Sequence, residues 1–464
     1  MADYPHTHFI GIGGTGLSAM ARVLLERGQR VSGSDIARNA ATAALETLGA
    51  TVYTSHAAEH IAGADLIVRS SAVPDSNPEV QAAHAAGIPV LKRRDYLPHL
   101  LANQQTIAIA GSHGKTTTTA LLAWLLYQTG RDPGFIVGSH LAELDTNARH
   151  GHGGIFVIEA DEYDYMFLGL TPHIAIVTNV EHDHPDLFPT LADTLAVFRQ
   201  FVAQIEPTGL LLACADDPGA LEVAASASAP VTTYGLSPTA HWRAEDIRPN
   251  PASGGSDFLL VHHTHTLGLA SVRLPGLHNV RNALAALAAA HTLGLTLTDL
   301  RPALRSFSGT GRRFEIKGEV NGITVVDDYA HHPTEIRATL AAARTRFLGR
   351  PIWAVFQPHT FSRTRALLLD FAASFGNADH VLVTEIYRAR ETDDGSIRAE
   401  DIVARMDHPA VRYVGGLDDA VATLVAQVPP GAVVLTLGAG DSHRIAERYL
   451  AHLTGANHAQ PATR

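Results

Sequence analysis

The feature that most constrains the fold of this sequence is an alternation of short apolar runs with longer runs rich in alanine and leucine. Short runs such as HFIGIGG and TIAIAGSHGK end in glycine or polar residues, which is typical of a strand that turns tightly into a helix. Strands that alternate with helices form parallel sheets covered by helices. The sequence therefore predicts an α/β fold with mostly parallel sheets.

The alternation occurs in three successive blocks, and a chain of 464 residues exceeds the usual size of about 100–200 residues per domain. We therefore expect three domains, over residues 1–103, 104–311 and 312–464. Turn-forming residues between about 230 and 275 predict a β-hairpin inside the second domain. The tail after Leu453 has the composition of a disordered end.

Composition excludes several classes of protein. No run of about eighteen apolar residues is present, and the alanine-rich stretch from Ala283 to Leu297 is typical of a buried helix, so we expect a cytoplasmic protein without membrane insertion. The single cysteine, Cys214, excludes an internal disulfide and a thiolate zinc cluster. A net charge of −11 argues against nucleic acid as a partner.

A glycine-rich turn follows the first predicted strand and matches the pattern G-x-G-x-x-G. Its glycines let a backbone approach a diphosphate at a helix N-terminus, and an acidic residue ends the next strand. The residues assigned to this site are Gly11, Gly13, Gly14, Gly16 and Asp35, with Ser70 and Ser71 at the end of a neighbouring strand. Alone, the pattern favours an NAD-linked dehydrogenase, and a turn without any ligand is the other alternative.

A phosphate-binding loop opens the second domain, between the strand TIAIA and a helix. Its residues are Gly111, Ser112, His113, Gly114, Lys115, Thr116 and Thr117. Ile109 stands where the usual pattern has its first glycine, but backbone N–H groups, the lysine and the threonine hydroxyl still suit phosphates and Mg²⁺. We therefore predict that this loop binds a nucleoside triphosphate.

Oxygen-rich side chains follow two buried strands of the second domain. Glu159 ends the strand IFVI and is the first candidate Mg²⁺ ligand, whereas at least two of Asp161, Glu162 and Asp164 are expected to be solvated or helix-capping. His184 lies in an acid- and histidine-rich cluster after the strand HIAIV, so it is a second candidate ligand. Asn279 and Asn282 could contact the adenine edge, and Asn279 could also cap its helix.

The third domain begins with two arginines, Arg312 and Arg313, which supply forked donors for phosphate. Closure of this domain would carry them onto the nucleotide and exclude water. Its other polar strand ends contain Asp328, Tyr329, His331, His332, Gln357, His359, Ser362 and Arg363. Gly438, Gly440 and Asp441 either border an amino-acid pocket or form a plain turn.

Taken in order, these motifs resemble one family closely, the Mur ligases. The series is GIGGTG, GSHGKTTTT, EADEYD, TNVEHDHPD, HNVRNA, GRRFE, DDYAHHPTE, FQPHTFSRT and GAGD, from about residue 7 to 450. The resemblance implies a Rossmann-like N-terminal domain for a UDP-sugar, a central P-loop ATPase domain and a Rossmann-like C-terminal domain for the amino acid. It also implies that the first glycine turn binds UDP and not NAD.

The resemblance implies an activity that uses ATP and Mg²⁺ to join L-alanine to the lactyl carboxylate of UDP-N-acetylmuramate through an acyl phosphate. The alternative is a family member that attaches an intact tripeptide to the same sugar. No lysine stands near Arg199, where several sister ligases carry a carbamylated one, and this favours L-alanine. Thr360 follows His359 where the family usually has an arginine. This changes the side chains that are available to bind the substrate carboxylate. We expect a monomer or a homodimer.

By motif position, the resemblance also implies individual roles. Thr116, Glu159 and His184 would bind the metal ion, Asn279 and Asn282 adenine, and Arg313 and Asp328 the nucleotide from the third domain. Tyr329, His359 and Arg363 would contact the amino acid and the acceptor. The expected catalytic set is Lys115, Glu159, His184, Arg313, Asp328 and His331, with the base left open among His331, His332 and His359.

Overall fold

The structure is a computed structural model that describes residues 4–455, and it contains three α/β sheets in sequence order. This confirms the predicted fold class. Most strand pairs within the three sheets are parallel, and helices connect them. The expected disorder beyond Leu453 concerns mainly residues 456–464, which lie outside the described part of the chain.

The first sheet has five parallel strands in the order β3-β2-β1-β4-β5. Its strands are β1 His6–Ile10, β2 Arg30–Ser34, β3 Thr51–Tyr53, β4 Leu66–Arg69 and β5 Val90–Lys92. Its helices are α1 Thr15–Glu26, α2 Ala40–Thr47, α3 Pro78–Ala86 and α4 Arg93–Leu100, with a 3-10 helix at Ala58–Ile61. Because the strand order reverses beside β1, the glycine turn after β1 lies at the position where such sheets bind ligands.

The second sheet has ten strands in the order β15-β14-β13-β12-β11-β10-β6-β9-β7-β8. Its strands are β6 Gln105–Ala110, β7 Gly134–Leu141, β8 Thr146–Arg149, β9 Ile155–Glu159, β10 Ile174–Val177, β11 Leu210–Cys214, β12 Val231–Gly235, β13 Trp242–Asn250, β14 Gly255–His262 and β15 His265–Val272. Its helices are α5 Lys115–Gln128, α6 Leu191–Val202, α7 Pro218–Ala224, α8 Leu277–Thr292 and α9 Leu297–Ser306, with 3-10 helices at Ala142–Leu144 and Tyr163–Gly169. The predicted hairpin is confirmed, because β13, β14 and β15 pair antiparallel and extend the sheet.

The third sheet has six strands in the order β16-β17-β21-β18-β19-β20, and only its first pair is antiparallel. Its strands are β16 Glu315–Val320, β17 Ile323–Asp328, β18 Ile352–Phe356, β19 His380–Thr384, β20 Val411–Gly415 and β21 Val433–Leu437. Its helices are α10 Pro333–Arg346, α11 Phe361–Ala366, α12 Leu368–Ala372, α13 Ala399–Val403, α14 Leu417–Gln427 and α15 His443–Leu453. The proposed boundaries at 103/104 and 311/312 fall between the sheets.

The apolar cores are distributed unevenly among the three sheets. One continuous core joins residues of the first two sheets, such as Tyr96 and Trp124, whereas the third domain has cores of its own. The alanine-rich helix α8 is buried along most of its length, as predicted. Within residues 4–455, no helix is long and apolar enough to cross a membrane. The third domain therefore meets the others mainly through polar groups, which suits a domain that moves.

A buried carboxylate joins several polar side chains of the first domain. Glu79 on α3 accepts hydrogen bonds from Ser34 at 2.6 Å and contacts His56 at 2.9 Å and His60 at 3.1 Å. Burial acts to raise the pKa of Glu79, but His8, Ser34 and His56 outweigh it and lower the pKa to about 2. The backbone carbonyl of Ser34 accepts the N–H of Gly11, so this cluster supports the glycine turn.

We predict that Glu79→Gln destabilises the protein by about 1–3 kcal/mol at neutral pH, because buried donors lose a charged acceptor. The folded pKa lies below the ordinary value of 4.5, so the contribution of Glu79 is present above about pH 4.5 and is lost as the pH falls towards 2. Thermal unfolding across this range measures the effect. The control is Glu59→Gln, an exposed carboxylate of the same domain, and equal melting temperatures for the two variants would contradict the prediction.

Candidate active site

The carboxyl ends of strands from all three sheets face two neighbouring cavities. The larger has a volume of about 660 Å³ and is lined by residues of the three domains. Its predicted site residues are Gly16, Ser112, His113, Gly114, Lys115, Thr116, Glu159, His184, Arg313, Tyr329, His331, His359 and Arg363. The smaller, about 290 Å³, is lined by His113, Gly114, Thr117, Asn279, Asn282, Arg313 and Asp328 among others. Most of the predicted residues are thus brought together.

Two glycines of the phosphate loop permit close contacts that a side chain would prevent. A Cβ atom on Gly111 would lie 1.9 Å from the hydroxyl of Thr178, and one on Gly114 would lie 2.6 Å from the amide oxygen of Asn282. Both glycines also have positive φ angles, 138° and 83°. The loop therefore packs directly against the strand end after β10 and against α8.

The loop is braced by residues that follow β10. Asn179 accepts the backbone N–H of His113 at 2.8 Å through its side chain and that of Ser112 at 3.0 Å through its carbonyl. The Ser112 hydroxyl accepts the N–H of Glu181 at 2.9 Å. Since these two loop amides are bound within the protein, the donors left for an anion lie mainly in the first turn of α5, where helical N–H groups have no intrahelical partner.

Lys115 is held by a buried acid that the sequence did not single out. Its ammonium group lies 2.8 Å from Glu162, whose side chain is 2% exposed, and it also donates to the carbonyl of Gly111. Burial acts to lower the pKa of Lys115, but Glu162 and then Asp161 outweigh it and hold the pKa above its ordinary value. Lys115 is therefore a buried cation whose counter-charge is Glu162.

Glu159 and Thr116 form a compact set of oxygen donors beneath the larger cavity. The Thr116 hydroxyl donates to Glu159 at 3.0 Å, and the N–H of Gly138 donates to the other carboxylate oxygen at 2.6 Å. Burial raises the pKa of Glu159, although Lys115 opposes this effect. A buried carboxylate next to a hydroxyl is the kind of donor set that a hard cation such as Mg²⁺ prefers, so the residues fit that ion.

His184 connects the second domain to the third through charge. Its ring lies 3.6 Å from Glu162 and 3.8 Å from Asp183. Asp183 in turn forms a buried ion pair with Arg363 of the third domain, with 2.8 Å between Oδ1 and Nε. Burial acts to lower the pKa of His184, but Asp183 and Glu162 outweigh it, so the pKa is raised. A cation at Glu159 would find His184 on the wall of the same cavity.

The two arginines at the start of the third domain differ in their environment. Arg312 donates to Asp327 at 2.8 Å and to the carbonyls of Gly438 and Gly440, so it stabilises its own domain. Arg313 lines both cavities, and its guanidinium lies 3.6 Å from Glu335. Arg313 is therefore the arginine positioned to meet a ligand.

Asp328 accepts two backbone N–H groups, from Phe314 at 2.8 Å and Ala330 at 2.8 Å. Burial raises its pKa to about 6, despite the opposing effect of Arg313. It lines the smaller cavity beside Arg313. Asp328 thus fixes the turn that carries Arg313 and still faces the predicted nucleotide site.

The three candidate bases lie in the third domain, where His332 is buried and His331 and His359 are half-buried. Burial is the main cause that lowers the pKa of His331 to about 3, of His332 to about 4 and of His359 to about 4. All three are therefore neutral imidazoles at neutral pH. His331 and His359 lie 5.9 Å apart, between ring centres, on the wall of the larger cavity, whereas His332 faces Glu181.

The two asparagines of α8 lie next to each other on the smaller cavity. Asn282 donates to the amide oxygen of Asn279 at 3.2 Å, and Asn279 donates to the carbonyl of Pro275 at 2.8 Å. The prediction that Asn279 caps the helix is wrong, because α8 begins at Leu277 and its capping position is Gly276. Asn279 lies within the first turn, and its side chain lines the smaller cavity while it is bonded to Pro275 and Asn282.

The first glycine turn contributes less to the cavity than predicted. Only Thr15 and Gly16 of this turn line it, with Arg93, whose guanidinium would clash with any side chain at Gly16. The N–H of Gly13 donates to Asp35 at 2.8 Å, and that of Gly14 to Gly11. Asp35 therefore stabilises the turn itself. Ser70 packs against Gly11, and Ser71 is exposed, so the roles of Asp35, Ser70 and Ser71 in substrate binding stay predictions.

Several site residues were missed because their partners are distant in sequence. Glu162 belonged to a group of acids expected to be mostly solvated or capping, but it is buried against Lys115. Glu335 contacts both Arg313 and His113, and Arg93 contacts Asp161 from the first domain. The only signal for Glu335 was its place in DDYAHHPTE, four residues after His331.

Comparisons with known proteins agree with this architecture. Three sequence profiles match: "Mur ligase family, catalytic domain" over residues 6–105, "Mur ligase middle domain" over 109–290, and "Mur ligase, glutamate ligase domain" over 312–440. A UDP-N-acetylmuramate–L-alanine ligase of Roseiflexus sp. (strain RS-1) is 46% identical and covers 95% of this chain and 98% of its own length. The ligase of the same name from Frankia casuarinae is 42% identical, and 97% of each chain is covered.

Solved structures give the same result. The UDP-N-acetylmuramate–alanine ligase MurC of Thermotoga maritima superimposes with a TM-score of 0.81 at 29% identity, over 98% of this chain and 100% of that one. A murein peptide ligase from Psychrobacter arcticus gives a TM-score of 0.70 at 28% identity, over 97% of this chain and 98% of its own.

We predict that Lys115→Met destabilises the protein by roughly 3–5 kcal/mol, because Glu162 is then a buried carboxylate without its cation. The double variant Lys115→Met with Glu162→Gln should recover most of this loss. Chemical unfolding of the nucleotide-free protein measures both. The control is Lys317→Met, which removes a half-buried pair with Glu315 and should change little. A double variant no more stable than Lys115→Met would exclude the ion pair as the cause.

Proposed function

The chain belongs to the Mur ligase family, and from this membership we propose that it is an ATP-dependent ligase that joins L-alanine to the lactyl carboxylate of UDP-N-acetylmuramate. The near full-length similarity to ligases of this name supports the assignment. The observation that carries it is the convergence of the phosphate loop with Arg313 and Arg363 of the third domain on one cavity. This is a reaction of peptidoglycan precursor synthesis.

The chemistry requires positioning and charge neutralisation more than covalent catalysis. The lactyl carboxylate attacks the γ-phosphorus of ATP, ADP leaves, and the product is an acyl phosphate. The amine of L-alanine then attacks the acyl carbon, inorganic phosphate leaves, and the amine loses a proton. Negative charge builds up during phosphoryl transfer, and Lys115 and Arg313 lie on opposite domains around the place where it would develop.

We propose that Thr116, Glu159 and His184 hold the Mg²⁺ ion. When bound, this ion neutralises charge on the phosphates and orients them for transfer. Glu159 is kept in place by the N–H of Gly138, and Thr116 lies in the first turn of α5, the helix that follows the phosphate loop. His184 would bind the ion only as a neutral imidazole, and Asp183 and Glu162 oppose this because they raise its pKa.

We propose that the carboxylate of L-alanine binds near Arg363. Arg363 lies on the wall of the larger cavity, on the same side as His331 and His359, and its guanidinium contacts His359 at 3.1 Å. Thr360 replaces the arginine usual at the next position, and it caps α11 through a 3.5 Å contact to the N–H of Arg363. In this chain Arg363 is therefore the arginine of that segment left to bind a carboxylate.

His331 is the proposed acceptor for the proton of the alanine ammonium group. Its Nδ1 atom lies 2.9 Å from the carbonyl of Tyr329, an arrangement that directs its other ring nitrogen away from that carbonyl. His332 is engaged with the carbonyl of His182 across the domain interface. This difference favours His331 over His332.

The other hypotheses fit the chain less well. An NAD-linked dehydrogenase would leave the phosphate loop unexplained, and a regulator without catalysis would leave Arg313, Arg363 and the histidines around them unexplained. Attachment of an intact tripeptide is the second candidate activity, favoured only by the similarity to the murein peptide ligase. We propose a cytoplasmic location, with which the single buried thiol of Cys214 is compatible. Whether the protein is a monomer or a homodimer stays a prediction.

The substrate assignment predicts that purified protein releases phosphate from ATP in the presence of Mg²⁺, UDP-N-acetylmuramate and L-alanine. Replacing L-alanine by the tripeptide L-Ala-γ-D-Glu-diaminopimelate should reduce release to the background without amino acid. A colorimetric phosphate assay, with product identified by mass spectrometry, measures both. Activity with the tripeptide alone would overturn the assignment.

The proposed carboxylate contact predicts that Arg363→Lys raises KM for L-alanine at least tenfold and changes KM for ATP by less than about threefold. A lysine keeps the charge next to Asp183 but loses the forked donor geometry. Steady-state kinetics with each substrate varied in turn measures the two values. The matched control is Arg365→Lys on the same helix, whose exposed side chain contacts Asp394. An equal rise in KM for both substrates would point instead to a general disturbance of the domain interface.

A further inference from the structure

A second cluster of metal-ligating side chains lies beside the proposed Mg²⁺ site and is distinct from it. It consists of His113 in the phosphate loop, Glu181 after β10 and His332 of the third domain, whose ligand atoms lie within 4.8 Å of one another. Among residues 4–455, this is the group of three histidine, cysteine, aspartate or glutamate side chains whose ligand atoms converge in this way. The cluster joins the second domain to the third.

Two of the three distances among these atoms suit a four-coordinate ion, and the third is at most 4.8 Å. The distance from Glu181 Oε2 to His113 Nε2 is 3.3 Å, and that to His332 Nδ1 is 3.5 Å. Zinc bonds to nitrogen and oxygen of about 2.0–2.1 Å in a tetrahedron separate neighbouring ligand atoms by roughly 3.3–3.4 Å. An ion could therefore be placed among the three atoms with small movements of the side chains.

The outer contacts of both imidazoles follow the pattern of zinc-binding histidines. Such a histidine usually directs its other ring nitrogen to a carboxylate or a backbone carbonyl. Here His113 Nδ1 lies 3.3 Å from Glu335, and His332 Nε2 lies 3.3 Å from the carbonyl of His182. Glu181 is itself fixed by the hydroxyl of Thr334 at 2.6 Å. Each ligand is thus oriented by a partner of its own.

We propose that His113, Glu181 and His332 form a site for a zinc-class divalent cation that links the phosphate loop to the third domain and competes with nucleotide. Two imidazoles and one carboxylate favour zinc or cobalt over Mg²⁺, which prefers oxygen ligands. His113 and Glu181 also line the smaller cavity, where the proposed adenine contacts lie. An ion bound there would restrain opening of the third domain and so inhibit turnover.

Protonation of the cluster opposes the ion. Burial acts to lower the pKa of His113, but Glu335 and Glu181 outweigh it and raise the pKa to about 10. His332 is already neutral at neutral pH. An ion would have to replace the proton on His113 Nε2.

The test uses Co²⁺ as the spectroscopic probe and Zn²⁺ as the competitor, with the full-length, nucleotide-free protein. We expect one equivalent of Co²⁺ to give the visible absorption of a four-coordinate complex, Zn²⁺ to abolish it, and ATP to displace it. In His332→Asn the affinity should fall at least tenfold. His332 Nδ1 now accepts the N–H of Thr334 at 3.3 Å as the cap of α10, and a bound ion would replace that contact. Asparagine can provide the same cap, so loss of fold would not explain the result.

Two control variants separate this site from others on the protein. His184→Asn should retain the Co²⁺ complex, because His184 belongs to the proposed Mg²⁺ site. His263→Asn, from the histidines packed near His241 on the hairpin extension, should retain it as well. Loss of binding in either control, unchanged binding in His332→Asn, or no Co²⁺ complex in the wild type would each overturn the proposal. The binding result does not depend on the ligase activity, so the two proposals fail independently.

Discussion

The site depends on a buried chain of charges that runs from the phosphate loop to the third domain. Lys115 pairs with Glu162, Glu162 also faces His184, and His184 lies beside Asp183, which pairs with Arg363. Buried charges are costly unless they are paired. Each member of this chain therefore requires its neighbours, and removing one leaves the next as a charge without its partner. This requirement holds residues from distant parts of the sequence around one cavity.

The contrast between apolar and polar interfaces explains which parts of the molecule can move. The first two domains share a continuous apolar core, and separating them would expose apolar surface to water. The third domain contacts the second through ion pairs such as Asp183 with Arg363, and through hydrogen bonds such as that of Thr334 with Glu181. Water and substrates can replace such partners, so a hinge between the second and third domains is the lower-cost motion.

The sequence predicted what depends on local pattern. The three α/β blocks, the two glycine turns and the buried helix α8 follow from periodicity and from residues adjacent along the chain. Prediction from the sequence failed for residues whose main contact is distant along the chain. No residue near Glu162 in the sequence indicates that Lys115 is its counter-ion. Asp35 stands where the glycine motif predicts a ligand-binding acid, but its carboxylate accepts the N–H of Gly13. Such pairings follow from the register of parallel strands and the packing of domains, which no local pattern encodes.

The charge chain also explains how the site compensates its own charges and could still accept a highly charged substrate. Within the protein, Glu162 supplies the negative charge that Lys115 requires, and Asp183 and Glu162 raise the pKa of His184. In the proposed complex, a triphosphate with its cation would bring a new anion for Lys115 and a new positive charge for Glu159. Binding would then replace part of this internal compensation by charges that the ligand supplies. In the two proposed sites, Glu159 lies beside the hydroxyl of Thr116 and Glu181 lies beside two imidazoles, so the two sites would favour cations of different chemistry.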